Sequence, residues 1–116
     1  MDSILTSIKK MLGITPDYAY FDTDLIIHIN SVLAILTQIG VGPSEGFAIE
    51  DSTETWEDFV DDEKTIQFVK SYVYLKVKML FDPSLSSAVI ESSKGLISEL
   101  EWRLMIAVDP DEDDDE

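Results

Sequence analysis

The chain carries few side chains that could perform chemistry. His28 is the single histidine among 116 residues, and cysteine is absent. Nucleophilic catalysis by serine or cysteine needs an adjacent base, usually a histidine. His28 is the one imidazole available, so no Ser–His–acid or Cys–His arrangement can be built without it. His28 lies at the edge of the apolar stripe of a predicted helix, where we expect a partly buried structural role. The absence of cysteine also excludes disulfides and thiolate metal sites.

The carboxylates do not form a recognisable site either. Asp109, Asp111 and Asp113 resemble the start of a calcium loop, but the sixth position lacks the required glycine. The run Asp61-Asp62-Glu63 is better placed to stabilise a helix N-terminus than to act as an acid–base pair. The segment Gly40-Val41-Gly42-Pro43 has neither the spacing nor the following lysine of a phosphate loop. We therefore predict a protein that is not an enzyme and holds no metal or cofactor.

The distribution of charge is the strongest compositional feature. The formal net charge is −16, with seven acids in the last eight positions and eight more from Glu50 to Glu63. Only eight residues are basic, which argues against a free-standing nucleic-acid-binding protein, because phosphate contacts need clustered lysine and arginine. Four of the eight fall on one predicted helix: Lys64, Lys70, Lys76 and Lys78.

Helix signals dominate the first half of the chain. Asp2 or Ser3 can cap a first helix that runs to Leu12, with Gly13 as its stop signal. Asp22 is predicted to cap a second helix that ends before Gly40. One broad apolar stripe is typical of an amphipathic core helix, and here it contains Leu25, Ile29, Val32, Leu33, Leu36 and Ile39.

The segment from Val41 to Val60 is predicted to be a long acidic connection, within which a short helical turn fixes Trp56 and Phe59 to the core. Connections of this length in a small domain are uncommon and often functional. A third main helix is predicted from Asp61 to Phe81, ended by Asp82-Pro83. A last helix starts between Ser84 and Ala88 and runs to about Val108. The sequence predicts an all-α domain over residues 1–108, a bundle of about four helices, followed by a disordered acidic tail over residues 109–116.

The third main helix has two apolar faces separated by polar seams. One stripe contains Ile66, Val69, Val73, Val77 and Leu80. The second contains Phe68, Tyr72, Leu75 and Met79. Either both faces are buried by different neighbours of one fold, or one of them packs on another chain.

The last helix also shows two kinds of apolar residue. The predicted core stripe contains Val89, Ile90, Leu96, Ile97, Leu100, Leu104 and Val108. Trp102, Met105 and Ile106 lie opposite, among polar residues. Tryptophan and methionine are enriched in interface cores, so we predict that these three residues contact another chain. The alternative is that the first helix or the long connection covers the end of the last helix.

Four segments in order carry a resemblance to a known family: HINSVLAILTQIGVGP, TWEDF, VKSYVYLKVKMLFDPS and ELEWRL. The chain from Met1 to about Val108 resembles the small head–tail connector proteins, or DNA-packaging adaptors, of tailed bacteriophages. The resemblance implies an all-helical structural protein of the virion, assembled in the bacterial host cytoplasm, that forms a ring under the portal and extends the DNA channel. It implies as partners further copies of itself, the portal protein and the next connector or tail protein, with genomic DNA passing through the channel without specific binding and no membrane contact.

In that setting two sets of residues become candidates. The predicted subunit interface contains Phe68, Tyr72, Leu75, Met79, Trp102, Met105 and Ile106. The predicted channel-facing or partner-facing acids are Glu50, Asp51, Glu54, Glu57 and Asp58. Solubility alone would also explain the acids, and the alternative function is a small acidic interaction protein, such as a DNA mimic that inhibits a basic partner.

Overall fold

The structure, a computed structural model, describes residues 3–81 and 87–108, without the side chains of Ser87, Ala107 and Val108. These residues form an all-α domain, as predicted, and within them the only extended pairing is an isolated bridge between Ser3 and Thr55. The described helices are α1 (Ile4–Met11), α2 (Asp22–Gln38), α3 (Trp56–Phe59), α4 (Glu63–Phe81) and α5 (Ser87–Val108). The predicted acidic tail over residues 109–116 lies outside the described residues.

The N-terminal ends of the first two helices are formed differently. Ser3 caps α1, and its hydroxyl accepts a hydrogen bond from the Thr6 N–H at 3.2 Å. The prediction that Asp22 caps α2 was wrong, because α2 begins at Asp22 itself and Phe21 makes no side-chain cap. The Asp22 carboxylate instead lies 2.8 Å from the Lys9 Nζ, in an ion pair without well-aligned hydrogen-bond geometry. Lys9 is buried and also donates to the Pro16 carbonyl at 2.9 Å, so this pair fixes α1 and the following turn against α2.

Helix α4 is the centre of the domain. It packs on α2 on one side and on α5 on the other, with smaller contacts to α1 and α3. Both of its predicted apolar faces therefore have neighbours within the same chain. Its buried residues are Ile66, Val69, Tyr72, Val73 and Val77. Leu80, which the sequence placed in the same stripe as Ile66, Val69, Val73 and Val77, is 53% exposed.

Helix α5 packs mainly on α4, and this limits how much of its surface is buried. Ile97, Leu100 and Leu104 are buried, as the predicted core stripe requires. Val89 and Leu96 are exposed, so the predicted stripe was too wide. A helix that contacts a single partner buries a narrower strip of its circumference than one enclosed by several neighbours.

The long connection is anchored to the core. The predicted short turn is confirmed as α3, and both Trp56 and Phe59 are buried. The Trp56 indole donates to the Ser7 hydroxyl at 3.2 Å, and the Ile4 N–H donates to the Glu54 carbonyl at 3.0 Å. The connection is thus joined to α1 at both a side chain and the backbone.

Candidate interaction surfaces

A single side chain of α2 holds the middle of the acidic connection in place. The Asn30 amide donates to the Ile49 carbonyl at 3.0 Å, and its oxygen accepts from the Ile49 N–H at 2.7 Å. Ile49 is buried, so without Asn30 these two backbone groups would have to find other partners. Asn30 therefore aligns the connection along α2.

The start of the connection is fixed by a close approach between backbone and ring. Gly42 has φ of +85°, and a Cβ there would lie 2.5 Å from the Phe59 ring. Only glycine satisfies both the left-handed conformation and this contact. The acids of the connection are therefore carried on a defined backbone.

Several of those acids stabilise the connection itself. Asp51 accepts from the Thr53 N–H at 2.8 Å and from its hydroxyl at 2.6 Å, and these bonds lower the pKa of Asp51. Glu54 accepts from the N–H groups of Glu50 and Asp51, at 3.0 and 3.3 Å. Asp58 accepts from the Thr55 N–H at 2.9 Å and completes the capping box of α3.

The acids also surround a shallow depression next to α3. Among the residues that line this space of about 360 Å³ are Glu57, Asp58, Asp61 and Asp62. In the part of the chain that the structure describes, no group of three or more such side chains is placed to hold a metal ion. The depression is a concentrated negative surface.

The second apolar face of α4 is only partly accessible. Phe68, Leu75 and Met79 are half-buried against the core, whereas Tyr72 is fully buried. The Tyr72 hydroxyl donates to a Glu101 carboxylate oxygen at 2.7 Å, and burial together with this neighbour raises the pKa of Tyr72. Tyr72 joins α4 to α5 and, unlike the other residues of the predicted subunit interface, offers no surface to a second chain.

The outer face of α5 exposes three large apolar side chains. Trp102 is 61% exposed, Met105 51% and Ile106 43%, and we call these three residues the α5 patch. Beside it, the Arg103 guanidinium donates to the Glu99 carboxylate at 2.8 Å, which neutralises both charges locally. Because these side chains are exposed, no other described segment, α1 and the long connection included, covers them fully. The residues of the α5 patch are therefore available to another protein.

A comparison with protein families decides which class of protein carries these surfaces. A family model described as phage connector protein matches residues 4–111, nearly the whole chain. The chain belongs to the phage connector protein family. No curated protein and no solved structure matches the connector.

Membership gives the connector a structural role in the virion. Connectors act by contacting other head or tail components, so exposed surfaces are the parts of the molecule through which the chain performs its role. None of the helices in the described part of the connector is both long enough and apolar enough to span a bilayer.

The connector also contains surface features that the sequence did not predict. Tyr18 and Tyr20 are exposed in the turn before α2, and their rings pack against Phe21, which contacts Phe81 edge-on at 5.1 Å between centroids. Aromatic residues placed one to three positions apart in a turn show no periodicity, so only the tertiary fold reveals this cluster. His28 is half-buried beside it, as predicted, on the wall of an open space of about 440 Å³.

Proposed function

We propose that the connector assembles as a ring beneath the portal of the DNA-filled head, extends the DNA channel and joins the head to the next connector or tail component. The α5 patch is the observation that carries this proposal. A ring subunit must contact two neighbours through different surfaces, and it therefore needs apolar area beyond its own core. A tryptophan that is 61% exposed on a folded domain is such an area.

The remaining interface candidates extend this surface. Phe68, Leu75 and Met79 are half-buried, so each retains part of its side chain for a neighbour. They contribute apolar area around an anchor rather than acting as anchors themselves. Binding energy in interfaces is concentrated in a few large, exposed side chains, which favours Trp102 over these three.

The acidic connection suits a surface that lines the channel or faces a partner. Like charge disfavours adhesion of DNA phosphates, so an acidic lining would let the genome pass without being gripped. Anchoring by Asn30, Gly42 and Trp56 supports this role, because it presents the carboxylates from a fixed position rather than from a freely moving loop. Glu50, Asp51, Glu54, Glu57 and Asp58 are the residues proposed to face the channel or a partner.

Assembly is expected to need a template. A chain of net charge −16 repels its own copies, which opposes spontaneous ring closure at physiological salt. Portal rings would raise the local concentration of subunits and so offset this repulsion. Stable rings of the isolated protein at micromolar concentration would contradict the template requirement.

The test is to mix the protein with portal rings encoded by the same genome, separate the bound fraction by sedimentation and image it by electron microscopy. We expect stoichiometric added density at the outer end of the portal ring. A Trp102→Glu sample serves as the matched variant, and it should remain folded but lose the added density. Absence of binding by the wild-type protein to competent portal rings would refute a first position beneath the portal.

A further inference from the structure

A second surface complements the α5 patch. Helices α2, α4 and α5 line an open groove of about 490 Å³, which is within the size range of pockets for drug-sized ligands and so has room for a large side chain. Its apolar lining includes Ile35, Met79, Leu80 and Ile97. Leu80 is 53% exposed there, so the groove presents apolar surface that the chain itself does not cover.

The charges at the groove differ from those of the rest of the molecule. Lys76 and Lys94 are among the residues that line it, and they are two of only eight basic residues in the chain. Glu101 also lines the groove, but its carboxylate accepts the Tyr72 hydroxyl. The acids of the long connection do not line it.

The α5 patch has the opposite character. Two residues after its last apolar side chain, Ile106, the sequence continues with residues 109–116, seven of which are acidic. The neighbouring Glu99 and Arg103 neutralise one another, so the patch can approach another copy without local repulsion. An apolar patch followed by acids matches an apolar groove that is bordered by lysines.

We propose that the α5 patch of one copy docks into the α2–α4–α5 groove of a second copy, with Lys76 and Lys94 of the second copy facing the acids that follow the patch. This inference rests on the ring assembly proposed above and names its two surfaces. The patch and the groove share no residue, so each subunit can offer its patch to one neighbour and its groove to another, in a heterologous contact.

Cysteine cross-linking tests the contact directly, because the chain contains no cysteine of its own. Ser31 and Ser98 line the groove, and Met105 belongs to the patch. Single variants Ser31→Cys and Met105→Cys, one of them carrying a size tag, are mixed and oxidised so that only contacts between chains are captured. A second pair combines Ser98→Cys with Ile106→Cys, and Trp102 is intact in both pairs.

The control pair is Ser44→Cys with Met105→Cys, because Ser44 is exposed but does not line the groove. We expect at least one groove–patch pair to give about tenfold more mixed dimer than the control pair, since a disulfide needs Cα atoms within roughly 7 Å. The measurement is made both with portal rings and on concentrated protein alone. If the groove–patch pairs give no more mixed dimer than the control pair under both conditions, the proposal is overturned. That outcome includes the case in which a portal or tail protein, and not another copy, binds the groove and protects it.

Charge reversal at the groove provides a second readout. Lys76→Glu and Lys94→Glu should each weaken the association of copies by roughly two- to fivefold, as expected for exposed ion pairs, and the effect should shrink with added salt. Lys64→Glu makes the same charge change on α4 away from the groove and should have a smaller effect. Equal effects of all three substitutions would show that net charge, not the groove, controls association.

The two proposals fail in different ways. Wild-type protein that adds density to portal rings but gives no groove–patch cross-link leaves the connector position intact and refutes this docking. Groove–patch cross-links in concentrated protein that does not bind portal rings support the docking and refute the position beneath the portal.

Discussion

Replacing Asn30 with alanine tests whether one side chain holds the acidic connection in place. The substitution removes two hydrogen bonds, of 3.0 and 2.7 Å, and leaves the N–H and carbonyl of Ile49 without their partner. Each lost bond costs about 1 kcal/mol net, and a buried backbone group left unpaired costs roughly 1–3 kcal/mol. The cost lies toward the lower end of that range where water can reach the group after the change. We therefore expect the free energy of unfolding to fall by about 2–4 kcal/mol.

Calorimetry and urea unfolding followed by circular dichroism measure this loss. An unfolding entropy of about 2.1 cal/mol/K per residue converts about 2–4 kcal/mol into a fall in Tm of roughly 8–16 °C for a chain of this size. Ser31→Ala is the matched control, because Ser31 is the adjacent residue, is exposed and donates its hydroxyl to the Ile27 carbonyl of its own helix. Its free energy of unfolding should change by less than about 0.5 kcal/mol.

Asn30→Asp separates the lost donor from the lost acceptor. The carboxylate can still accept from the Ile49 N–H, but when ionised it faces the Ile49 carbonyl without a donor. A protonated carboxyl can donate to the Ile49 carbonyl, so relative to wild type the variant should be destabilised least at acidic pH and more as the pH rises and the introduced group ionises. An Asn30→Ala variant within about 0.5 kcal/mol of wild type would refute the claim that Asn30 anchors the connection.

Three further outcomes follow from the structure. Trp102→Ala should leave the free energy of unfolding nearly unchanged but weaken portal-templated assembly, because covering about 150 Å² of exposed indole surface contributes up to ~4 kcal/mol. Urea unfolding measures the effect on stability and sedimentation measures the effect on assembly. Equal losses in the two measurements would contradict this prediction. Gly42→Ala should destabilise the domain more than Gly46→Ala. Both glycines have positive φ, but only at Gly42 would a Cβ meet a ring, that of Phe59, at 2.5 Å. The unfolding midpoints of the two variants test this order. Asp62→Asn should destabilise the domain at neutral pH, because hydrogen bonds from the Thr65 hydroxyl and N–H lower the pKa of Asp62. This stabilisation is present above the unfolded pKa of about 3.9 and is lost as the pH falls through the folded value, so the difference from wild type in a pH series of unfolding curves should disappear in acid.

Periodicity predicted the parts of the fold that depend on single helices. The apolar stripe of α2 is confirmed, with Leu25 and Ile29 buried. A 3.6-residue repeat can be identified in a single helix without knowing which elements pack against it. The short turn that fixes Trp56 and Phe59 to the core was also predicted and is confirmed. The exposure of Trp102 agrees with its position among polar residues on the outer face of α5.

Features that depend on which elements meet were not predictable from periodicity. Leu96 was assigned to the core of α5, yet it is exposed because α5 has one main neighbour. Tyr72 was assigned to a surface, yet it is buried because α5 covers that side of α4. Asn30 lay on the polar side of α2, and nothing in its own helix indicates a backbone partner 19 residues further along the chain.

The attachment of α5 to the domain has a consequence for hydrogen exchange. A helix that rests mainly on α4 can separate from it at a lower free energy than global unfolding, since α2 and the connection would stay in place. The amides of α5 should then exchange through this smaller opening and those of α2 through complete unfolding. Engagement of the α5 patch by a neighbour would raise protection selectively in α5, so part of the free energy of assembly would go into stabilising this one helix.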